Sequence, residues 1–102
     1  MKTIYRYSLC DGHGAETAIK TYNNCKVLGV GIDPRNVLSA WILVDTKEEM
    51  NNTLNFYVAG TGFDFEAKFK DPQYIGTVKE GPYMWHVFYE NSTVELEEGG
   101  IS

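Results

Sequence analysis

The chain has 102 residues, which is enough for one domain and too few for two. A domain of this length buries only about 60 to 70 % of its unfolded surface, so its seven Tyr, five Phe and two Trp must supply much of the core. The formal net charge of −5 comes mainly from four glutamates within residues 90–102, and neither that segment nor the nearly neutral body (ten acidic and nine basic residues) has the positive charge that nucleic-acid binding requires.

The first half of the chain predicts four strands. Apolar and polar residues alternate over residues 1–9 and again over residues 16–22, which indicates two half-buried strands. Residues 26–32 and 36–45 form a β-hairpin, because Pro34 presets the φ angle of a tight turn between them. Residues 37–44 are apolar on both faces, which predicts a central strand covered on both sides.

The second half predicts three more strands around one long loop. Residues 46–52 (TKEEMNN) contain helix formers but are enough for one short helical turn at most. Strands follow at residues 53–60, 73–78 and 83–90, and residues 61–72 form the longest irregular connection. Long loops in compact domains are often functional.

These elements predict an all-β fold, a small antiparallel β-sandwich or partly open barrel of about seven strands. Residues 1–90 make up this single domain, and residues 91–102 are expected to be an acidic, flexible tail. Deleting residues 92–102 is therefore expected to change the melting temperature by only a few degrees. The exception would be the segment STVEL docking as an extra strand across a subunit interface.

His86 lies in the last predicted strand, on the same face as Met84 and Phe88. A metal site would need two or three further ligands, and a hydrolase would need a nucleophile with a defined partner. The favoured interpretation is therefore a satisfied core or interface histidine. Contact with a ligand is the alternative, and catalysis is the least favoured.

The two cysteines indicate free thiols. Cys10 and Cys25 are separated by fourteen residues, which matches neither a CxxC redox pair nor a zinc knuckle. Without a signal peptide or a long apolar run, the expected location is the cytoplasm. Cys10, Asp11 and His13 offer metal-ligand atoms in one turn, but no downstream spacing completes a site, so no metal and no cofactor is predicted.

Two motifs around the long loop have a functional and a structural interpretation. Gly60-Thr61-Gly62 fits a backbone cradle for a phosphate with Lys68 or Lys70 nearby, but a strand-ending turn with a positive φ is favoured. The loop carboxylates lack the glycine and terminal glutamate of a calcium loop. An amphipathic loop that packs its phenylalanines is favoured, serving as a lid over a pocket or as a partner-binding patch.

Aromatic and basic residues supply the candidate ligand contacts. Trp41 and Trp85 are core anchors or an aromatic clamp on a base. Arg35, at a hairpin tip, either solvates the turn or binds phosphate or carboxylate. The candidate ligand-binding residues are Arg35, Trp41, Thr61, Phe63, Lys68, Lys70, Trp85 and His86.

Five segments occur in the order of a known family: TIYRYSL, AWILVD, FYVAGTG, YIGTV and WHVFYE. The chain resembles the small uncharacterised domain family of bacteriophages and prophages whose members end near a VWHVFE sequence. The resemblance covers most of residues 2–90, implies a phage or prophage origin and carries no assigned reaction. Many members have a histidine directly after GTG, where Phe63 stands here. If that histidine does chemistry in its relatives, this chain has lost it.

Together these observations favour a non-enzymatic binding protein encoded by a phage or prophage. The narrower hypothesis is counter-defence in the cytoplasm of the host bacterium, by sequestering a nucleotide-type signal or by blocking a host defence protein. The alternative is an interaction module that forms a homo-oligomer and recognises a host or phage protein. A third option is a small enzyme using His13 or His86. Neither duplex nucleic acid nor a membrane is an expected partner.

Overall fold

The computed structural model of the protein describes residues 1–93 and consists of two antiparallel sheets packed face to face. One sheet has the strand order β1-β4-β3 and the other β2-β5-β7-β6. The strands are β1 (Lys2–Ser8), β2 (Glu16–Thr21), β3 (Lys26–Ile32), β4 (Leu38–Asp45), β5 (Asn52–Gly60), β6 (Gln73–Glu80) and β7 (Tyr83–Thr93). The predicted all-β class and the seven predicted strands are confirmed, and the sheets form a sandwich rather than a closed barrel.

The core lies between the sheets and is built from alternate residues of the central strands. Ile42 and Val44 of β4 face Leu54 and Phe56 of β5, all at most 1 % exposed. Burying a side chain of this size contributes about 1.5–3 kcal/mol, so the two central strands hold the sandwich together.

The outer face of β4 differs from the prediction. Trp41 and Leu43 point away from the core and remain partly exposed, because within residues 1–93 no third layer covers the three-stranded sheet. Ile4, opposite Leu43 on β1, is 54 % exposed. The prediction that β4 is covered on both sides is therefore wrong.

Residues 46–52 contain no helical turn, and no helix occurs elsewhere in residues 1–93. The Asp45 carboxylate accepts the Lys47 N–H at 3.1 Å, and the Glu48 N–H donates to the Asp45 carbonyl at 3.0 Å. The hydrogen bond from Lys47, with a smaller contribution from the terminal ammonium of Met1, lowers the pKa of Asp45. A side-chain-stabilised turn thus replaces the helical turn that the composition allowed.

The last strand continues past the predicted domain boundary at residue 90. Asn91 pairs with Leu54, and Thr93 pairs with Asn52. The first three residues of the expected tail therefore belong to β7. Residues 94–102, which carry the rest of that expectation, lie outside the described residues.

Candidate functional site

A cavity of about 210 Å³ lies at one end of the four-stranded sheet. It opens between the start of the 61–72 loop and the β6–β7 hairpin. Because β5 and β7 are antiparallel, the end of β5 meets the start of β7, and Gly60 pairs with Trp85. The cavity is lined by Gly60, Thr61, Phe63, Pro82, Tyr83, Met84 and Trp85.

Phe63 forms one wall of the cavity. Gly62 has a φ of 88°, which turns the chain so that the Phe63 N–H donates to the Gly60 carbonyl at 3.3 Å. A Cβ atom at Gly60 would lie 2.8 Å from the Phe63 ring. Only glycine leaves room for the ring to lie over the end of β5. The Gly60-Thr61-Gly62 motif thus forms the strand-ending turn that the sequence favoured.

His13 supports the Phe63 wall from outside. The two rings are stacked with centroids 4.6 Å apart and an interplanar angle of 21°. The Gly60 N–H donates to His13 Nδ1 at 3.1 Å, so that nitrogen is unprotonated and the ring proton is on Nε2. In residues 1–93, no group of three or more His, Cys, Asp or Glu side chains is placed to hold a metal.

The β6–β7 hairpin supplies the opposite wall. Gly81 has a φ of 58° and precedes Pro82, a combination that fits a tight two-residue hairpin turn. Behind this turn, the rings of Tyr83 and Trp85 stack with centroids 5.1 Å apart and an interplanar angle of 14°. The Trp85 indole N–H donates to the Glu80 carboxylate at 2.9 Å. Since its polar atom is already paired, Trp85 offers the cavity an apolar surface.

A chain of hydrogen bonds runs from the cavity across the outer face of the sheet. Thr61 Oγ1 is 2.6 Å from His86 Nε2, and His86 Nδ1 is 2.9 Å from Thr77 Oγ1. The Thr77 hydroxyl is in turn hydrogen-bonded to the Tyr74 hydroxyl. His86 is half-buried, and hydroxyl groups are hydrogen-bonded to both of its ring nitrogens. The sequence had placed it only between the apolar side chains of Met84 and Phe88.

The structure brings half of the predicted ligand-binding residues together. Thr61, Phe63 and Trp85 line the cavity, and His86 reaches it through Thr61. Alternation along β7 places Trp85 and His86 on opposite faces of the sheet. Both faces contribute to the site, because the loop after β5 folds over the end of the strand.

The other four candidates lie outside the cavity. Trp41 is on the outer face of the three-stranded sheet, and Arg35 is exposed in the β3–β4 turn. The Asp33 carboxylate shapes that turn by accepting the Arg35 N–H at 2.9 Å.

Neither lysine of the long loop lines the cavity. The Lys70 N–H donates to the Glu90 carboxylate at 3.1 Å, and Glu90 is about 17 Å along β7 from Trp85. Lys68 lies on the same loop, exposed to solvent. The phosphate cradle with a neighbouring lysine is not assembled in the structure.

The rest of the loop packs on the outer face of the sheet. Tyr57 is only 1 % exposed, because Phe65 and Phe69 cover its ring at centroid distances of 5.1 and 6.3 Å. The Tyr57 hydroxyl accepts the Glu66 N–H at 3.0 Å. The amphipathic interpretation of this loop describes it correctly.

Sequence reasoning missed Tyr83, Met84 and the support from His13 and Thr77. Tyr83 shares a face with Trp85 at i and i+2, and a turn directly precedes both of them. That spacing indicates an aromatic pair at a hairpin end. These two residues lie beside the end of β5 because β7 is the neighbour of β5 in the sheet. A local sequence pattern does not show which strands are neighbours.

Residues 1–97 match the family described as a domain of unknown function, DUF7352. The chain belongs to this family. The DUF7352 match includes all seven strands and hence the whole cavity, and the description assigns no activity and no origin. No curated protein and no solved structure matches the chain. Residues 1–93 contain no helix long and apolar enough to cross a membrane.

Proposed function

We propose that this DUF7352 protein is a non-enzymatic binding protein that holds one planar, uncharged ring, such as a nucleobase, in the cavity. The observation that carries the proposal is the set of three aromatic side chains that line one cavity, Phe63 together with the stacked Tyr83 and Trp85. Stacking on aromatic side chains contributes about 1–3 kcal/mol per base. A volume of about 210 Å³ is below the usual range for drug-sized ligands, so it suits a single ring system.

The electrostatics favour the ring over its phosphates. None of the seven lining residues carries a charge, and the chain has a net charge of −5. A negative protein repels a polyphosphate at long range. In a nucleotide-type ligand, the base is therefore the recognised part, and the phosphates extend into solvent at the open side of the cavity.

A thermal-shift panel of nucleosides, cyclic oligonucleotides and ADP-ribose derivatives tests the proposal. A ligand that binds only the folded state increases the free energy of unfolding, by about 2.7 kcal/mol at a hundredfold excess over Kd. The melting temperature must therefore rise. Phe63→Ala and Tyr83→Ala are expected to weaken binding about 5- to 150-fold each. Both side chains are more than half exposed, at 63 % and 56 %, so both variants are expected to fold.

Phe65→Ala is the matched control. Phe65 is on the same loop and 48 % exposed, but it contacts Tyr57 and Phe88 rather than the cavity. It should leave ligand binding unchanged. If no member of the panel stabilises the protein, or if Phe65→Ala weakens binding as much as Phe63→Ala does, the proposal is wrong.

The second candidate function is an interaction module that binds a protein or a second copy of the chain. The long loop favours it, because Phe63 and Phe65 both remain largely exposed there. Sedimentation velocity and pull-down with purified Phe63→Ala and Phe65→Ala separate the two functions. A stoichiometric protein complex that both substitutions disrupt, with no nucleoside bound, supports the interaction module.

The wider role that we propose is counter-defence in a phage or prophage, by sequestering a nucleotide-type signal or by blocking a host defence protein. This part depends on the family resemblance and not on the cavity. Expressing the protein in a bacterium whose defence uses such a signal should restore phage growth, and Tyr83→Ala should abolish the rescue. Rescue that Tyr83→Ala leaves intact would favour the blocking of a defence protein.

A further inference from the structure

Thr61 is the lining residue whose polar group is tied to a hydrogen-bond network. Its Oγ1 is 2.6 Å from His86 Nε2, while the Phe63 ring is apolar and the Trp85 indole N–H is already paired with Glu80. A threonine hydroxyl has one hydrogen to donate and two lone pairs to accept with. What it offers a ligand therefore depends on whether its hydrogen is already used by His86.

In its neutral form, the imidazole of His86 links the two threonines in opposite senses. One ring nitrogen must accept a hydrogen bond and the other must donate one. If Thr77 donates to Nδ1, then Nε2–H donates to Thr61, and the Thr61 hydrogen is free. If Thr61 donates to Nε2 instead, Thr61 faces the cavity with lone pairs only.

Tyr74 decides between these two arrangements. A phenol is more acidic than an aliphatic alcohol and is therefore the stronger hydrogen-bond donor. This favours the direction in which Tyr74 donates to Thr77 and Thr77 donates to His86 Nδ1, at two contacts whose geometry fits either direction. Hydrogen bonds that run in one direction strengthen one another. In this series of hydrogen bonds, every donor then points from Tyr74 at the sheet edge towards Thr61 at the cavity.

We propose that His86 is a positioning residue that aims the Thr61 hydrogen at the cavity, so that the site selects purines that present a carbonyl acceptor, rather than an amino donor, to Thr61. This inference rests on the proposed function and specifies its ligand class. A purine with a carbonyl at position 6 is bound more tightly than one with an amino group there. Inosine is therefore expected to bind about three- to tenfold more tightly than adenosine.

Thr77→Val tests the role of the network, because Thr77 is not a lining residue. Valine keeps the shape of threonine but cannot donate to Nδ1, so His86 loses its tautomeric bias and Thr61 donates to Nε2 in part of the molecules. The preference for inosine is expected to fall towards one. Thr53→Val, the same substitution at the far end of β5 in this sheet, should leave the preference unchanged.

The ¹⁵N spectrum of the His86 ring gives a readout without any ligand. The wild-type protein should show an unprotonated Nδ1 and a protonated Nε2, and Thr77→Val should mix the two states. An Nδ1-protonated ring in the wild type overturns the inference, and so does a site that binds inosine and adenosine equally. If neither nucleoside binds at about 10 mM, the proposed function itself fails and ligand selection fails with it.

Discussion

Gly60 is the single residue on which the candidate site depends most. It is the last residue of β5, its N–H binds His13, and the Phe63 ring lies where its side chain would be. A Cβ atom there would also lie 3.3 Å from the Trp85 ring. Both walls of the cavity therefore meet at a residue that has no side chain.

The two thiols are expected to react at different rates. Burial raises the pKa of the Cys25 thiol, and the Asn52 amide donates to its sulfur at 3.3 Å. Since the thiolate is the reactive form, iodoacetamide at pH 8 should alkylate the exposed Cys10 first. Peptide mass spectrometry over time measures both rates, with Cys10→Ser as the control. Equal rates at the two positions would contradict the described burial of Cys25.

At the residue scale, the sequence identified side-chain types better than their positions. Thr61 and Phe63 were predicted correctly as neighbours because they are adjacent in the chain. Arg35 and Trp41 were grouped with them on chemistry alone, yet the turn and the second sheet place them elsewhere. Which face and which sheet end a residue occupies follows from strand pairing, and a single sequence does not contain that information directly.

At the element scale, apolar patterning and turn residues predicted all seven strands, and the largest error in their bounds is at the end of β7. Residues 91–93 (Asn, Ser, Thr) carry no apolar signal, so alternation gives no reason to extend β7, and the strand propensity of STVEL indicated a separate strand at a subunit interface instead. They are ordered by backbone pairing with the start of β5. Pairing of this kind depends on the neighbouring strand and not on the side chains of the segment itself.

Truncation of the chain tests the importance of that pairing. A chain ending at residue 90 loses three paired residues opposite Asn52 and Leu54, which are both nearly fully buried. We expect it to melt at least about 5 °C below a chain ending at residue 93, because each 1 kcal/mol shifts the melting temperature of a domain of this size by about 4–8 °C. Circular dichroism melts of the two truncated proteins make the comparison. Equal melting temperatures would mean that this end of β7 adds nothing to stability.

At the scale of the whole molecule, the strand order creates the site. β7 lies between β5 and β6, which brings a loop from the middle of the chain beside a hairpin near its end. The strand order, with its crossovers between two sheets, depends on how all the apolar faces of the molecule pack together. The all-β class was therefore predictable from the sequence, whereas the cavity was not.

The two tryptophans make the central claim directly measurable. Trp85 lines the cavity, and Trp41 lies on the outer face of the other sheet, so their indole N–H signals report on the site and on a control position in one spectrum. Gly60→Ala is the matched variant. Its added Cβ must displace the Phe63 ring, which would lie 2.8 Å away, and shifts the Trp85 ring, which would lie 3.3 Å away, by less.

The measurement is a titration of the ¹⁵N-labelled protein with inosine, followed in the ¹H–¹⁵N correlation spectrum. We expect the Trp85 indole signal to move to saturation, the Trp41 signal to stay in place, and Gly60→Ala to abolish the movement. A spectrum in which Trp85 does not move at about 10 mM nucleoside, or in which Trp41 moves equally, would contradict the assignment of this cavity as the binding site.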